Sequence, residues 1–333
     1  MKKVIVFGAT GTLGTYFVDA LHESGYEVWA VGRRNIVPEY YAERGIHCAQ
    51  VDITNKADFD KLPQEGVDAV VQIAGAMPSR MAGYKPELYL EVNTLGTLNV
   101  LEYCRKTGVN SYHFTQSHSD VAGHWNTGKL IPADAPRILN LKGDHAVYII
   151  SKNAAVDLIE HYHQDYGLRT FVYRLPTIYC YRPIFDMYVN GDSAPIGYRS
   201  LIKMAMESKP IQIWGDPSKA KDMVYVRDFN QLIMLAIESD RPQGMYNVAS
   251  GWATTLEEQI QGLVEIFSPK DNPSEVVYCP EKPSQNSYLY DIQNARDELG
   301  YEPKYNYIDM LKDMKKEVSG CRFAHLECHD VTI

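Results

Sequence analysis

The hydrophobic pattern opens on an apolar run, Val4-Ile5-Val6-Phe7, too short for a helix and suited to a buried strand. Gly8, Gly11 and Gly14 follow at even spacing, and the chain then reads as a helix over residues 12–24, stopped by Gly25. The same alternation continues downstream. Residues 27–32, 48–52, 68–76, 111–115 and 170–175 read as strands. Helices are predicted over 91–107, closed by Gly108, and over 144–166, closed by Gly167.

Strands and helices alternating at this length predict an α/β fold, a doubly wound parallel (Rossmann) sheet whose ligands sit beyond the strand ends. Beyond Pro176 the alternation fails: 183–197 reads as a loop, 198–207 as a helix and 211–214 as a strand. Residues 223–226 and a helix over 227–238 are expected to return to the main sheet, with further helices over 255–267 and 291–299. The expected organisation is a dinucleotide-binding domain over 1–178, joined by 222–250. A smaller C-terminal α/β substrate lobe follows from 179–221 and 251–315, and 316–333 form a tail.

Composition narrows the classes. The hydrophobic fraction of 45% and charged fraction of 23% are ordinary for a soluble globular protein. A net charge of -9 argues against nonspecific nucleic-acid binding. No apolar run reaches membrane-spanning length, and Met1-Lys2-Lys3 leads directly into the first strand, so neither a membrane partner nor a signal peptide is expected. The cysteines show no framework spacing, consistent with reduced thiols and a cytoplasmic location.

The chemistry begins at the glycine turn. Gly8, Gly11 and Gly14 permit a tight turn and let backbone N–H groups approach a pyrophosphate at the positive end of a helix. The second strand ends in Gly32-Arg33-Arg34, where an acidic residue would select NAD. A guanidinium pairs well with a 2′-phosphate, so NADP is expected rather than NAD. Asp52 and Ile53 fall where an adenine edge would be held, and Ala74-Gly75-Ala76 are small enough for a cofactor to cross the fourth strand tip. Tyr148 and Lys152 lie one helical turn apart on one face, so the ammonium is expected to favour tyrosinate. Ser117, just past the fifth strand, would orient a substrate oxygen against Tyr148. A second Tyr-x-x-x-Lys, Tyr278 and Lys282, contains Pro280 and is not helical.

These residues together resemble the extended short-chain dehydrogenases/reductases of the NAD-dependent epimerase/dehydratase family. The resemblance runs from Val4 to about Lys315. It rests on Gly8-Ala9-Thr10-Gly11-Thr12-Leu13-Gly14, Asp52-Ile53, Asn93 in its helix, and Tyr148-Ile-Ile-Ser-Lys152. It continues through Tyr173-Arg174-Leu175-Pro176, Asp222-Met-Val-Tyr-Val-Arg-Asp228 and Ala295-Arg-Asp-Glu-Leu-Gly-Tyr-Glu-Pro303. It implies Tyr148 as acid/base, Lys152 as the tyrosine-tuning and ribose-binding lysine, and Ser117 as the orienting hydroxyl. Thr10, Thr12, Leu13 and Asn93 join the cofactor residues, and Lys221 and Lys282 stand where arginines often hold a substrate diphosphate. Tyr179 and His118 are further expected substrate contacts, and a homodimer through the helices near Glu91 and Tyr148 is implied.

Departures from that pattern matter. The run after the fifth strand, Thr115-Gln-Ser-His-Ser-Asp-Val-Ala-Gly123, is one residue longer than usual, so Ser119 competes with Ser117 for the orienting role. Ala122 replaces a tyrosine, and only Asp120 stands where dehydratases carry an Asp-Glu pair, which disfavours sugar dehydration. His124, like His118, lies near enough to touch substrate. The tail carries Cys321, His325, Cys328 and His329, but in no common zinc spacing, so no metal is expected. The leading reading is a sugar-nucleotide epimerase working by transient hydride transfer at a small-molecule substrate. The alternative is an NADPH-dependent carbonyl reductase of a smaller or more apolar substrate, favoured by Arg33 and Arg34 and by the missing tyrosine at Ala122. A third is a nucleotide-sensing regulator, against which the intact Tyr148/Lys152 pair speaks.

Overall fold

The computed structural model describes residues 1–34 and 36–329, with side chains through residue 326, and is built on one seven-stranded sheet. Its strands are β1 (Lys3–Phe7), β2 (Glu27–Gly32), β3 (His47–Gln50), β4 (Ala69–Gln72), β5 (Ser111–Ser117), β6 (Arg169–Leu175) and β7 (Gln243–Asn247). They lie in the order β3-β2-β1-β4-β5-β6-β7, every pair parallel. Helices cover both faces, which is why Val4, Ile5, Val6, Val70 and Val71 are all fully buried instead of alternating. The chain reverses direction across the sheet between β1 and β4, so the crevice beyond their carboxyl ends is the natural ligand position.

Three helices frame that crevice: α1 (Thr12–Glu23), α2 (Gly96–Thr107) and α3 (His145–Tyr166). The latter two end, as predicted, on left-handed glycines, Gly108 at φ 68° and Gly167 at φ 67°. The fourth strand is shorter than its apolar run. Ile73 and Ala74 both donate to the Phe7 carbonyl, which draws the chain out of the ladder and leaves 73–76 as a loop at the strand tip. The helix expected over 91–107 is entered through a π-helical turn, Leu90–Leu95, that carries Asn93.

Two expectations fail outside the sheet. The segment at 223–226 does not join the main sheet: Val224–Tyr225 pairs with Ile178–Tyr179, and β7 adds to β6 instead. The loop expected over 183–197 is a hairpin, Asp186–Val189 against Asp192–Pro195. Its turn residues, Asn190 at φ 51° and Gly191 at φ 88°, both take the left-handed conformation that tight hairpins require. The hairpin tip is pinned down. Gly83 N–H donates to the Gly191 carbonyl at 3.0 Å, and Asn190 N–H donates to Asp144 Oδ2 at 2.9 Å.

The remaining short strands pair among themselves in two-stranded sheets, and the helices Gly197–Met206 and Leu256–Phe267 pack against each other. The tail is anchored. Arg322 pairs with Asp19 and Glu317, and Phe323 packs edge-on against Tyr16 of α1. The thiol of Cys328 and the imidazole of His329 lie outside the described residues. Among the described residues no cluster fit for a metal occurs, and no helix is long and apolar enough to cross a membrane.

Candidate active site

The glycine turn is shaped by close approach. Gly8 leaves β1 at φ +92°, and a Cβ there would stand 2.7 Å from the Ala74 nitrogen. A Cβ on Gly14 would stand 2.0 Å from the Gly8 carbonyl oxygen, so α1 seats on the turn only with glycine at that position. Gly11 precedes α1 without a capping side chain, and no acidic residue sits in the first turn. The first N–H groups of α1 are therefore left for an anion.

A cavity of about 800 Å³ opens from this turn across the strand ends. At one end its wall is Gly32, Arg33, Arg34, Asp52 and Ile53; Ala74, Gly75 and Ala76 form the middle. Ser117, His118, Ser119, Tyr148 and Lys152 lie further along, and Asp186, Met187, Tyr188 and Ser193 of the hairpin roof it. Gly8, Thr10, Gly11, Thr12 and Leu13 also face it. These residues fit a dinucleotide: a tight glycine turn, an open helix end and a long walled crevice.

Two predicted cofactor residues act from behind the wall. Gly14 seats the helix. Asn93 is buried, accepting from Ala76 N–H at 2.8 Å and donating to the Ala76 carbonyl at 2.9 Å and to Ser151 Oγ at 3.1 Å. It fixes the 74–76 loop instead of facing the cavity.

Of the predicted substrate residues only His118 faces the cavity. Tyr179 is buried under Lys221, whose Nζ stands 5.9 Å from its ring. Lys221 belongs to a strand, Ala220–Asp222, paired with Ala253–Thr255, and is not among the residues lining the cavity. Lys282 lies over the half-exposed Trp214 ring at 5.2 Å. The cavity's cations on this side are instead Arg80, Arg182 and Arg199, none of them anticipated. The signal for the hairpin was present as Asn190-Gly191; nothing in the spacing pointed to the arginines.

Ser117 and Tyr148 come close. β5 delivers Ser117 at its carboxyl end and α3 delivers Tyr148 in its first turn, and both side chains line the cavity. Burial raises the Tyr148 phenol above its ordinary value, and the nearby Ser117 hydroxyl pulls it partly back. The expected lowering by Lys152 is not what this environment gives. Lys152 is itself buried, its Nζ 3.9 Å from the Phe114 ring centroid, and desolvation brings it down to about 7. Much of its charge is thus lost near neutral pH.

Ser119 stands one step back: the Ser117 hydroxyl donates to Ser119 Oγ at 3.2 Å. His118 is locked by Tyr290, Nδ1 to the phenol oxygen at 2.8 Å, and burial holds it neutral with a pKa of about 3. His124 turns outward to the Pro136 carbonyl at 2.9 Å. Asp120 is buried against Arg174, Nε to Oδ1 2.9 Å and Nη2 to Oδ2 3.0 Å, and is not presented to a substrate.

Residues 4–249 match the NAD-dependent epimerase/dehydratase family. The chain belongs to that family. Among its relatives, the UDP-glucuronate 4-epimerase of Thermodesulfobacterium geofontis is 28% identical over 94% of this chain and 94% of its own. In fold the chain is similar to the UDP-glucose 4-epimerase of Thermotoga maritima solved with UDP-glucose. The TM-score is 0.76 at 22% identity, covering 95% of this chain and 99% of the other. It is also similar to the UDP-glucose 4-epimerase of Thermus thermophilus solved with NAD, with a TM-score of 0.74 at 23% identity, covering 96% and 99%.

These findings correct the cofactor. The family is NAD-dependent and its solved relatives hold NAD, so the expectation of NADP from Arg33 and Arg34 is overturned. A physical reason is visible at the same wall. Arg33 Nη1 lies 3.9 Å from Asp52 Oδ2, so its charge faces a carboxylate that would repel a 2′-phosphate. The reductase reading loses the support it drew from those arginines and keeps only the tyrosine missing at Ala122.

Proposed function

We infer that this family member is an NAD-dependent epimerase of a nucleotide sugar, with Tyr148, Ser117 and Lys152 as its reacting centre. The observation that carries the reading is the gathering of Ser117, Tyr148 and Lys152 on the wall of the cavity that the glycine turn opens. The relatives' names, UDP-glucose and UDP-glucuronate 4-epimerases, point to a UDP-sugar.

When bound, NAD supplies the hydride acceptor. The chain's own residues handle the proton. Tyr148 Oη takes the proton of a sugar hydroxyl and later returns it, while the Ser117 hydroxyl holds the same oxygen in line. Lys152, brought down to about 7 by burial, lines the same cavity, where it would hold the ribose of the cofactor. The hairpin forms one wall of the cavity and would limit the access of water to a sugar held there. Asp120, held by Arg174, is no general base, which favours epimerisation over dehydration.

Two chains pair through α2 and α3 in this reading. Leu95 at 56% exposure and Ile150 at 43% present apolar side chains on neighbouring helices, with Leu90 beside them at 44%.

The test is to incubate the NAD-loaded protein with UDP-glucose and UDP-glucuronate and separate the products chromatographically. Formation of the 4-epimer, lost in Tyr148→Phe by roughly a hundredfold or more, supports the reading. No epimer from either sugar would sink it.

A further inference from the structure

Three arginines are buried among the described residues; Arg182 donates to Thr12 Oγ1 at the glycine turn, and the other two, Arg174 and Arg199, are held differently. Arg174, 1% exposed, is met by the Asp120 carboxylate along its fork and by the Ala133 carbonyl and Asn247 side chain. Arg199, 5% exposed, lines the cavity from the first turn of the helix Gly197–Met206. Its partners are neutral: Nε donates to the Tyr198 hydroxyl at 3.0 Å and Nη1 to the Ile184 carbonyl at 2.9 Å. Nη2 lies 4.0 Å from Cys180 Sγ, and burial keeps that thiol protonated. No carboxylate among the described residues stands within ion-pair distance of Arg199. Burying a guanidinium without a counter-charge is costly, and a protein retains one at a cavity wall when a ligand brings the anion.

We propose that Arg199 is the anion anchor of the substrate half of the cavity, holding a phosphoryl or carboxylate oxygen of the substrate. It takes over the task expected of Lys221 and Lys282, neither of which reaches the cavity. The first turn of its helix adds partial positive charge at the same wall. Tyr198 and Ile184 orient the fork, so the remaining N–H groups are preset for a planar or tetrahedral oxyanion. The identity of the anion as part of a nucleotide sugar rests on the function proposed above.

The experiment is calorimetric titration of the NAD-saturated protein with inorganic pyrophosphate, UDP and UDP-glucuronate, in the wild type, Arg199→Met and Arg199→Lys. Saturating NAD blocks the cofactor's own pyrophosphate position. Loss of about thirtyfold or more in UDP affinity in Arg199→Met, with NAD affinity unchanged, is expected if the anion is the diphosphate. A loss confined to UDP-glucuronate assigns Arg199 to the sugar carboxylate instead. Equal affinities for every probe in wild type and Arg199→Met overturn the proposal and leave the epimerase reading standing. Pyrophosphate bound by the wild type and lost in the variant, with UDP no better a ligand than pyrophosphate, supports the anchor and removes the nucleotide sugar. If Arg199→Met does not fold, Arg199→Lys decides: a drop of about tenfold is expected from lost fork geometry, and no drop overturns the proposal. The melting temperature separates anchoring from scaffolding. An anchor's removal leaves the ligand-free protein as stable as before or more so, whereas a scaffold's removal lowers its melting temperature with UDP affinity intact.

Discussion

The Ser117 hydroxyl donates to Ser119 Oγ at 3.2 Å and stands close enough to the Tyr148 phenol to favour its anion. By length alone, the loop after β5 leaves both serines as candidates. The geometry ranks them: Ser117→Ala should lower the turnover number by about a hundredfold with little change in NAD affinity, and Ser119→Ala by far less. Steady-state kinetics on the two variants check this, and equal losses would contradict the ranking.

Asn93 makes three buried hydrogen bonds and shapes the loop over which the cofactor would lie. Asn93→Ala leaves the Ala76 amide and carbonyl unsatisfied, so a loss of about 3 kcal/mol in stability is expected. NAD affinity should fall with it although no Asn93 atom faces the cavity. Chemical denaturation and NAD titration of the same variant measure both.

His113 sits between β5 and β6, its ring nitrogens 2.9 Å from Ser111 Oγ and 2.8 Å from the Tyr173 hydroxyl. Burial lowers its pKa to about 3, assisted by the charge of Arg169. In the unfolded chain the same group takes a proton below about 6.5. The unfolded state then binds more protons across that window, so stability falls as pH drops from 6.5 toward 3. Between pH 7 and 5 this group alone accounts for about 2 kcal/mol. Asp222 and Asp228, raised to about 6 by burial, slope the opposite way, so the comparison must be between wild type and His113→Gln. The variant should be less stable at pH 7 yet lose less on acidification; an identical pH slope would refute the assignment.

Leu95→Glu places a charge on the apolar face proposed for pairing. Sedimentation should show the wild type as a dimer at micromolar concentration and this variant as a monomer. A wild-type monomer would remove the interface.

Much of the fold was legible because buried parallel strands are apolar throughout and their helices end on glycine, as β1, β4, Gly108 and Gly167 show. Tyr148, Lys152 and Ser117 were legible for a related reason: helical spacing and a strand end fix their relative positions. What failed depended on distant partners. The charge of Arg33 is visible in the sequence, but its facing carboxylate, Asp52, comes from beyond the next strand. Lys221 and Lys282 kept the charge expected of a diphosphate site, yet Lys221 lies over Tyr179 and Lys282 over Trp214, and neither lines the cavity. The hairpin was a missed local signal, since Asn190-Gly191 is among the strongest short turn sequences.

The hairpin tip is fastened at Asp144, the residue immediately before the helix that carries Tyr148. The hairpin and the Tyr148-bearing helix, two walls of one cavity, are therefore tied at a single carboxylate, and replacing Asp144 removes the bond they share.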